Sequence, residues 1–347
     1  MTARRLPFQL ALALIAVFAI AALLSDFLSV NPPQALNLER FFAPPSRVRF
    51  IDAQGKFHWR PFVCAYELAD PLDVRYVEKP DEIYPLSFFS TGYEYRFMGL
   101  FPANRHLVGT GAGRTFYPWG ADDLGRDVLA RVLAGARTSM IVVIVGVFVY
   151  AVLGFVVGTI AGFLRGWVDA ALMRTSEFVM AVPALYLILA LRALLPLKLS
   201  YWQTVWLVAG TIASVTWPPL ARGIRGLVFQ LRNAGYVESA RAAGCTPARI
   251  FRRHMLPALI PFGAAQTVIA APFFLLGEAV LSFLDIGFRD SGESWGSMLR
   301  SLKDPRVLTG FWWNLAPLAL IFLTLLCLTI LSNYLSRDNA ESQAFRP

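Results

Sequence analysis

Residues 138–164 read TSMIVVIVGVFVYAVLGFVVGTIAGFL, a long apolar run without a charged side chain. A helix rises about 1.5 Å per residue, so about 20 apolar residues are enough to cross the hydrocarbon core of a membrane. The run is longer than that minimum. It therefore predicts a membrane-spanning helix and places the chain among integral membrane proteins.

Further apolar segments of the same kind flank this run. The predicted spans cover residues 8–28, 138–164, 178–197, 203–221, 258–284 and 312–335. The chain is 56% hydrophobic and 16% charged, with a mean hydropathy of +0.52, a combination that soluble proteins rarely show. We predict an all-α membrane protein of about six helices, with a small extracytoplasmic insertion that is partly β.

The chain divides into four regions. Residues 1–30 contain Arg4 and Arg5, followed by the first span. We expect an uncleaved anchor rather than a cleavable signal peptide, because no A-x-A site ends the run cleanly. Residues 31–118 form the insertion, where alternating side chains at 47–51, 56–59 and 94–98 predict strands. Residues 119–336 hold the other five spans, and 337–347 form a cytoplasmic tail.

The positive charge is concentrated in short stretches between apolar runs. The net charge is +9, and the arginine-rich loop at 222–257 falls in a connection that the positive-inside rule assigns to the cytoplasm, with both termini on that side. This distribution argues against nucleic-acid binding. The three cysteines, Cys64, Cys245 and Cys327, fall outside, inside and within the membrane, so neither a disulfide nor a metal site is expected.

Prolines interrupt several predicted spans, at Pro183, Pro218, Pro219 and Pro317. A proline has no N–H, so it leaves a helix carbonyl without its usual partner. Each proline is either a packing kink or a flexible point in a gated pathway. Glu278, a carboxylate inside a predicted span, either lines such a pathway or pairs with a neighbouring helix.

The loop at 222–257 is rich in arginine and has the character of two short helices. Residues 236–243 have helix-forming content, Glu238 and Arg241 are spaced to pair on one face, and Gly244 suits the position that ends a helix. Thr246 and Pro247 then suit the start of a second helix. The small side chains around Glu238 would let another protein approach closely, whereas the alternative is a solvated basic loop.

The same loop resembles the EAA motif of ABC-transporter permeases. The matching positions are Glu238, Ser239, Ala240, Gly244, Leu256 and Pro257, with Arg241 inside the motif. Ser239 replaces an alanine and His254 replaces an isoleucine of the general pattern. The resemblance implies that residues 238–244 couple the membrane helices to a separate ATPase.

A second motif strengthens the resemblance and narrows it to C-type dipeptide and oligopeptide permeases. Residues 119–131 read WGADDLGRDVLAR, similar to the G-T-D-x-x-G-R-D segment of that family, with Ala121 in place of threonine. The matching positions are Gly120, Asp122, Asp123, Gly125, Arg126 and Asp127. The resemblance covers roughly residues 115–340 and leaves the insertion uncovered.

The resemblance implies a permease subunit of a type I importer for peptides in the bacterial inner membrane. The implied partners are a B-type permease, two cytoplasmic ATPases, an extracytoplasmic binding protein and the lipid bilayer. ATP and Mg²⁺ would be bound by the ATPases, and this chain would carry no cofactor of its own. Two alternatives stay open: the same machinery with a nickel chelate or glutathione as cargo, and a channel or secondary transporter that needs no ATPase.

Catalytic signatures are weak. Residues 292–296 fit G-x-S-x-G, but that motif needs a strand–turn–helix setting and a histidine partner, and His254 is predicted on the other side of the membrane. The sequence has no Walker A motif. We therefore expect no enzymatic activity from this chain.

Overall fold

The computed structural model describes residues 2–97, 100–111, 116–193, 199–288 and 292–344. Its α-helices are α1 (Thr2–Leu23), α2 (Ser25–Leu28), α3 (Val128–Leu164), α4 (Gly166–Ala181), α5 (Ala184–Ala193), α6 (Tyr201–Thr216), α7 (Pro218–Arg232), α8 (Gly235–Ala242), α9 (Pro247–Ile250), α10 (Leu256–Phe283), α11 (Trp295–Met298), α12 (Pro305–Gly310) and α13 (Ala316–Ala344). Its strands are β1 (Arg49–Ile51), β2 (Phe57–Asp70), β3 (Arg75–Pro85), β4 (Ser87–Phe97) and β5 (Phe101–Gly109). Short 3₁₀ turns lie at Leu38–Arg40, Leu299–Lys303 and Trp312–Leu315, and a π-helical turn occupies Phe251–Met255.

Among the described residues, four helical stretches are long and apolar enough to cross a membrane. They are Leu6–Leu23, Val128–Leu164, Pro247–Phe283 and Trp312–Ser336. The pair α6 and α7, bent by 52° at Trp217, makes a fifth if it is one span. The predicted helical membrane fold class is confirmed, with four or five spans in place of the expected six.

The remaining predicted span, residues 178–197, is the third in chain order, and it is divided into two helices. Helix α4 ends at Ala181, Val182 is extended, and α5 begins after Pro183, because a proline disfavours helical backbone in the residue before it. Residues 194–198 lie outside the described part of the chain. Neither helix is long enough by itself to cross a membrane.

The predicted proline interruptions are confirmed at Pro183 and at Pro218 with Pro219, which open α7. The prediction for Pro317 is wrong. Pro317 is the second residue of α13, where the missing N–H has no helical partner to lose. Pro261 and Pro272 instead lie inside α10, which continues through both.

The chain forms two compact units, and each is described separately. The first unit comprises Met1–Ala13, Ile141–Glu278 and Thr324–Pro347. Within it, glycines at positions 154, 158 and 162 of α3 let α7 approach closely, because an added Cβ would lie 2.4–2.8 Å from atoms of Leu220, Ala221 and Val228. Small residues at four-residue spacing are a common means of packing membrane helices.

The second unit comprises Leu14–Met140 and Ala279–Leu323 and contains the predicted insertion. Strands β1, β2 and β3 form an antiparallel three-stranded sheet, and β4 pairs with β5. Val63, Leu86 and Phe116 form a small buried core. The predicted partly β insertion is confirmed. Strands β2 and β4 are longer than the alternating runs at 56–59 and 94–98, whereas β1 is shorter than the run at 47–51.

Helix α13 continues to Ala344, into the region predicted as a separate tail from residue 337. Alanine, glutamate and glutamine in this stretch are good helix formers, so the helix has no local reason to stop at the end of the apolar run. Residues 345–347 lie outside the described part of the chain.

Candidate functional site

The predicted docking element is a short helix that follows a sharp turn after α7. Helix α8 begins at Gly235, with Ala234 in extended conformation before it. Val237 is completely buried and anchors the helix, whereas Glu238 and Ser239 are exposed. We call residues 235–257 the α8 segment. Its helix α8 exposes small and polar side chains, and Val237 is the buried residue of that helix.

Gly244 ends α8 in the way that the sequence predicted. Its φ of +77° is left-handed, and the N–H groups of Gly244 and Cys245 donate to the carbonyls of Arg241 and Ala240 at 3.0 and 3.1 Å. This is the Schellman arrangement. A Cβ added at Gly244 would meet nothing within 4 Å. The glycine is therefore required by backbone conformation, and the space beside it is open.

The predicted pairing of Glu238 with Arg241 is wrong. Within the described residues Glu238 makes no ion pair. The Ser239 hydroxyl donates a hydrogen bond to the carbonyl of Gly235 at 2.9 Å. An exposed pair on a helix gains only about 0.3–0.5 kcal/mol, too little to hold two long side chains together. The carboxylate of Glu238 thus remains available to a partner.

The arginines of the loop fall into two groups. Arg225 forms a bidentate pair with Asp169 of α4, at 2.5 and 2.6 Å, and Arg232 donates to the carbonyl of Phe163 at 3.0 Å. A second group makes no ion pair within the described residues: Arg241, Arg249, Arg252 and Arg253. The first group holds α7 to its neighbours, and the second leaves the α8 segment strongly basic.

The second predicted helix is short and leads directly into α10. Thr246 occupies the N-cap position of α9 and Pro247 its first turn, as predicted, although the Thr246 side chain makes no capping hydrogen bond. After the π-helical turn, Leu256 and Pro257 form the start of α10. Pro257 therefore sits at a helix start, where its missing N–H costs little.

An apolar groove of about 360 Å³ lies beside α9. Phe163 and Leu164 at the end of α3 form one wall, and Pro247, Ala248 and Phe251 form the other. One wall of the groove and the exposed face of α8 both belong to the α8 segment. This segment therefore has both an apolar and a charged surface.

The other predicted family motif, residues 119–131, lies in the second unit and is named here the Asp122 segment. Asp122 is 1% exposed, and its carboxylate accepts from the N–H groups of Leu124 and Arg126, each at 2.9 Å. The Arg126 side chain adds a contact at 2.8 Å. Asp122 therefore holds a tight turn from its inside.

The glycines of the Asp122 segment are crowded. Gly120 and Gly125 both have positive φ, +77° and +70°. A Cβ at Gly125 would lie 1.8 Å from the carbonyl oxygen of Asn37, and one at Gly120 would lie 2.8 Å from that of Ala43. Both positions need glycine for conformation and for space.

Arg131 and Glu293 complete this motif, and sequence reasoning did not assign them a role. Arg131 is 4% exposed and pairs with Asp122 and, at 2.6 Å, with Glu293. Arg126 also approaches Glu293, at 3.5 Å. The signal available in the sequence was the presence of two unexplained charges next to apolar runs, but their pairing spans 162 positions.

Asp127 caps the start of α3. Its carboxylate accepts from the N–H of Leu129 and from the side-chain amide of Asn31, each at 2.9 Å. Burial nevertheless raises the pKa of Asp127 to about 7. Asp123, next to Asp122 and half-exposed, also has a raised pKa, through partial burial and the nearby Asp122 charge. The buried charges of this motif, Asp122 and Asp127, are thus satisfied by groups of this chain.

Glu278, the predicted pathway residue, is completely buried within the first unit and has an interaction partner. Ser294, the serine of the G-x-S-x-G run, caps α11 with Ser297 and is also buried. Its environment is that of a structural helix cap. The pathway role of Glu278 stays a prediction.

Comparison with known proteins identifies the family. Residues 154–339 match the binding-protein-dependent transport system inner membrane component. A Brucella ovis protein with a provisional name as a peptide permease is 30% identical over 245 residues, which are 70% of this chain and 79% of the relative. The dipeptide transport system permease protein of Bacillus subtilis is 33% identical over 216 residues, 62% of this chain and 65% of the relative.

Among solved structures, a methionine ABC transporter in an inward-facing conformation matches with a TM-score of 0.45 and 15% identity, over 60% of this chain and 95% of that chain. The predicted resemblance to dipeptide and oligopeptide permeases is confirmed by the sequence relatives. Since the family match covers more than half of the chain, from the C-terminal part of α3 through α4 to α12 and most of α13, this chain belongs to the binding-protein-dependent transport system inner membrane components, the multi-pass permease subunits of ABC transporters.

Proposed function

We propose that this chain is the C-type permease of an ABC importer that carries di- and oligopeptides across the inner membrane. The cargo is supported by the names of its peptide and dipeptide permease relatives. The machinery is supported by one structural observation above all. Helix α8 is anchored by a buried Val237 and presents an unpaired Glu238 beside an open Gly244.

The partners follow from this proposal. Two cytoplasmic ATPases bind ATP and Mg²⁺ and contact α8, a B-type permease completes the membrane pathway, and an extracytoplasmic protein delivers the peptide. This chain itself binds no nucleotide. The basic α8 segment then lies in the cytoplasm together with both termini, in agreement with the positive-inside rule. This placement needs an even number of crossings, so α4 with α5 crosses as a broken pair whenever α6 with α7 does.

The mechanism is alternating access. ATP binding draws the ATPases together, and α8 moves with the ATPase surface to which it is docked. Val237 ties α8 to the bundle, and the arginines of α7 tie that helix to α4 and α3. The displacement therefore biases the bundle between two packings, and no covalent chemistry occurs on this chain.

Charge reversal and bulk at α8 test the docking role. Glu238→Lys and Gly244→Trp should each abolish peptide uptake and substrate-stimulated ATP hydrolysis, because each change alters the face that meets the ATPase. Membrane insertion and yield should remain normal. Uptake in cells and ATP hydrolysis by the purified complex measure the effect.

The insertion supplies matched controls. Glu94→Lys reverses an exposed charge on β4 that makes no ion pair within the described residues, and Gly55→Trp adds the same bulk at a glycine with φ of +80° and open surroundings. Both should transport normally. Normal uptake in either α8 variant would refute the docking role, and uptake of glutathione or a nickel chelate in place of peptides would refute the cargo.

A further inference from the structure

A cavity of about 410 Å³ lies within the first unit, where two broken helices meet. Its wall includes Val179 and Pro183 at the break between α4 and α5, and Val215 and Pro219 at the break between α6 and α7. Tyr150, midway along α3, and Phe273 and Phe274, midway along α10, complete it. Its volume falls in the range of small-ligand sites.

The prolines give this cavity an excess of hydrogen-bond acceptors. In a continuous helix the carbonyl of Val179 would receive the N–H of residue 183, and the carbonyl of Val215 would receive that of residue 219. Both positions are prolines and have no N–H to donate. Two residues of the cavity wall therefore carry carbonyls that lack their helical partners.

Helix ends of both signs lie at the cavity. Helices α4 and α6, each of 16 residues, place their C-terminal turns at the cavity. A helix C-terminus carries a partial negative charge and favours cations. Two helix N-termini also lie at the cavity. That of α7 offers little compensation, because Pro218 and Pro219 remove two of its free N–H groups, whereas α5, which begins at Ala184 in the wall, offsets part of the negative charge. The freed carbonyls are therefore the main attraction for a cation.

The side chains of the wall carry no formal charge. The Tyr150 hydroxyl makes no hydrogen bond to another described residue, and its ring packs edge-on against Phe274 with centroids 6.0 Å apart. The wall thus combines apolar surface, one free hydroxyl and backbone carbonyls. A ligand with N–H donors and a positive charge matches it, and without a carboxylate partner that ligand can leave again.

We propose that this cavity is a transit site for peptide, in which the freed carbonyls of Val179 and Val215 receive the terminal ammonium and main-chain N–H groups. The apolar wall around Phe273 receives a side chain, and the Tyr150 hydroxyl donates to a peptide carbonyl. Weak, multiple contacts suit a conducting pathway, where binding must permit both entry and release. This inference rests on the proposed peptide import and locates the cargo on this subunit.

Photo-cross-linking in the assembled transporter tests the site. With p-benzoylphenylalanine in place of Phe273, radiolabelled trialanine should label this chain. The same residue in place of Phe322, which is exposed on α13, should give background labelling. N-acetyl trialanine, which lacks the ammonium, should label position 273 about tenfold less, the effect expected for losing a charged hydrogen bond.

A backbone variant tests the carbonyls directly. Pro219→Ala restores an N–H that can occupy the Val215 carbonyl, and should lower labelling at 273 about tenfold. Pro261→Ala makes the same change inside α10, where the freed carbonyl belongs to Pro257 and lies outside the cavity wall. It should leave labelling unchanged.

Uptake measured on the same samples separates the two claims. Peptide uptake with equal labelling at 273 and 322, or with no effect of acetylation, overturns the transit site and leaves peptide import standing. Selective labelling without uptake of any peptide overturns peptide import and leaves the cavity as a peptide site. The absence of both overturns both.

Discussion

The α8 segment and the Asp122 segment both carry motifs of the same family, yet they are built in opposite ways. In the α8 segment the charged residues Glu238 and Arg241 are exposed and make no ion pair within the described residues. In the Asp122 segment, Asp122 and Arg131 are almost completely buried and paired. The first motif leaves its polar groups for another molecule, and the second satisfies them internally.

The glycines show the same contrast. Gly244 and Gly125 have similar positive φ angles, +77° and +70°. Open space surrounds the first, whereas the Asn37 carbonyl crowds the second. A family motif can therefore belong either to an interface with another molecule or to an internally packed turn. The surroundings of its side chains distinguish the two.

The largest expected difference concerns the arginines. Arg131→Leu removes the buried guanidinium that contacts both Asp122 and Glu293 and leaves Arg126 alone to balance the two carboxylates, and breaking such a buried pair typically costs about 3–5 kcal/mol. Arg241→Leu removes an exposed, unpaired charge and should change stability by less than about 0.5 kcal/mol. Thermal unfolding of the purified protein in detergent measures both. Equal apparent Tm values for the two variants would remove the distinction between the segments.

A smaller difference is expected for the glycines, with one substitution at both sites. Gly244→Ala costs about 1–2 kcal/mol, because a Cβ disfavours the left-handed conformation. Gly125→Ala bears the same cost plus about 1–3 kcal/mol for displacing the Asn37 backbone. The apparent Tm should therefore fall further for Gly125→Ala. A larger fall for Gly244→Ala would mean that the α8 segment is more tightly packed than the structure indicates.

Local signals predicted the parts of the molecule that local physics determines. The apolar runs predicted four of the membrane spans, and a fifth if α6 and α7 are one span. The alternation around residues 47–59 predicted the first two strands, and Gly244 was recognised as the residue that ends α8. Each of these depends on a few consecutive residues. The position of α8 followed from the same short stretch, whereas the pairing predicted for Glu238 did not hold.

Long-range pairing was not predictable in this way. Helix α3 begins at Val128, ten positions before the predicted span, because Asp127 caps it and Arg131 and Arg137 are neutralised by carboxylates distant in sequence. In the sequence, Arg131 and Arg137 precede the apolar run and place the predicted start of the span after them. Only the partners, Glu293 and Asp26, show that the helix accommodates them.

The smallest effect is a pH dependence confined to the Asp122 segment. The pKa of Asp127 is raised by burial to about 7, whereas an unfolded aspartate titrates near 3.9. Between about pH 4 and 7 the folded chain therefore keeps a proton that the unfolded chain releases. The contribution of Asp127 to stability is largest below pH 4, falls as the pH rises through this window and is constant above it.

The apparent Tm of the wild type should accordingly fall between pH 5 and 7 by more than that of Asp127→Asn, which keeps an oxygen to cap α3 but cannot titrate. Glu238→Gln makes the matching change in the α8 segment, where the carboxylate is exposed in the folded chain and in the unfolded chain alike. It should retain the slope of the wild type. A wild-type slope in Asp127→Asn would show that the buried cap keeps its charge throughout, because three hydrogen bonds from Asn31 and the start of α3 would then outweigh its burial.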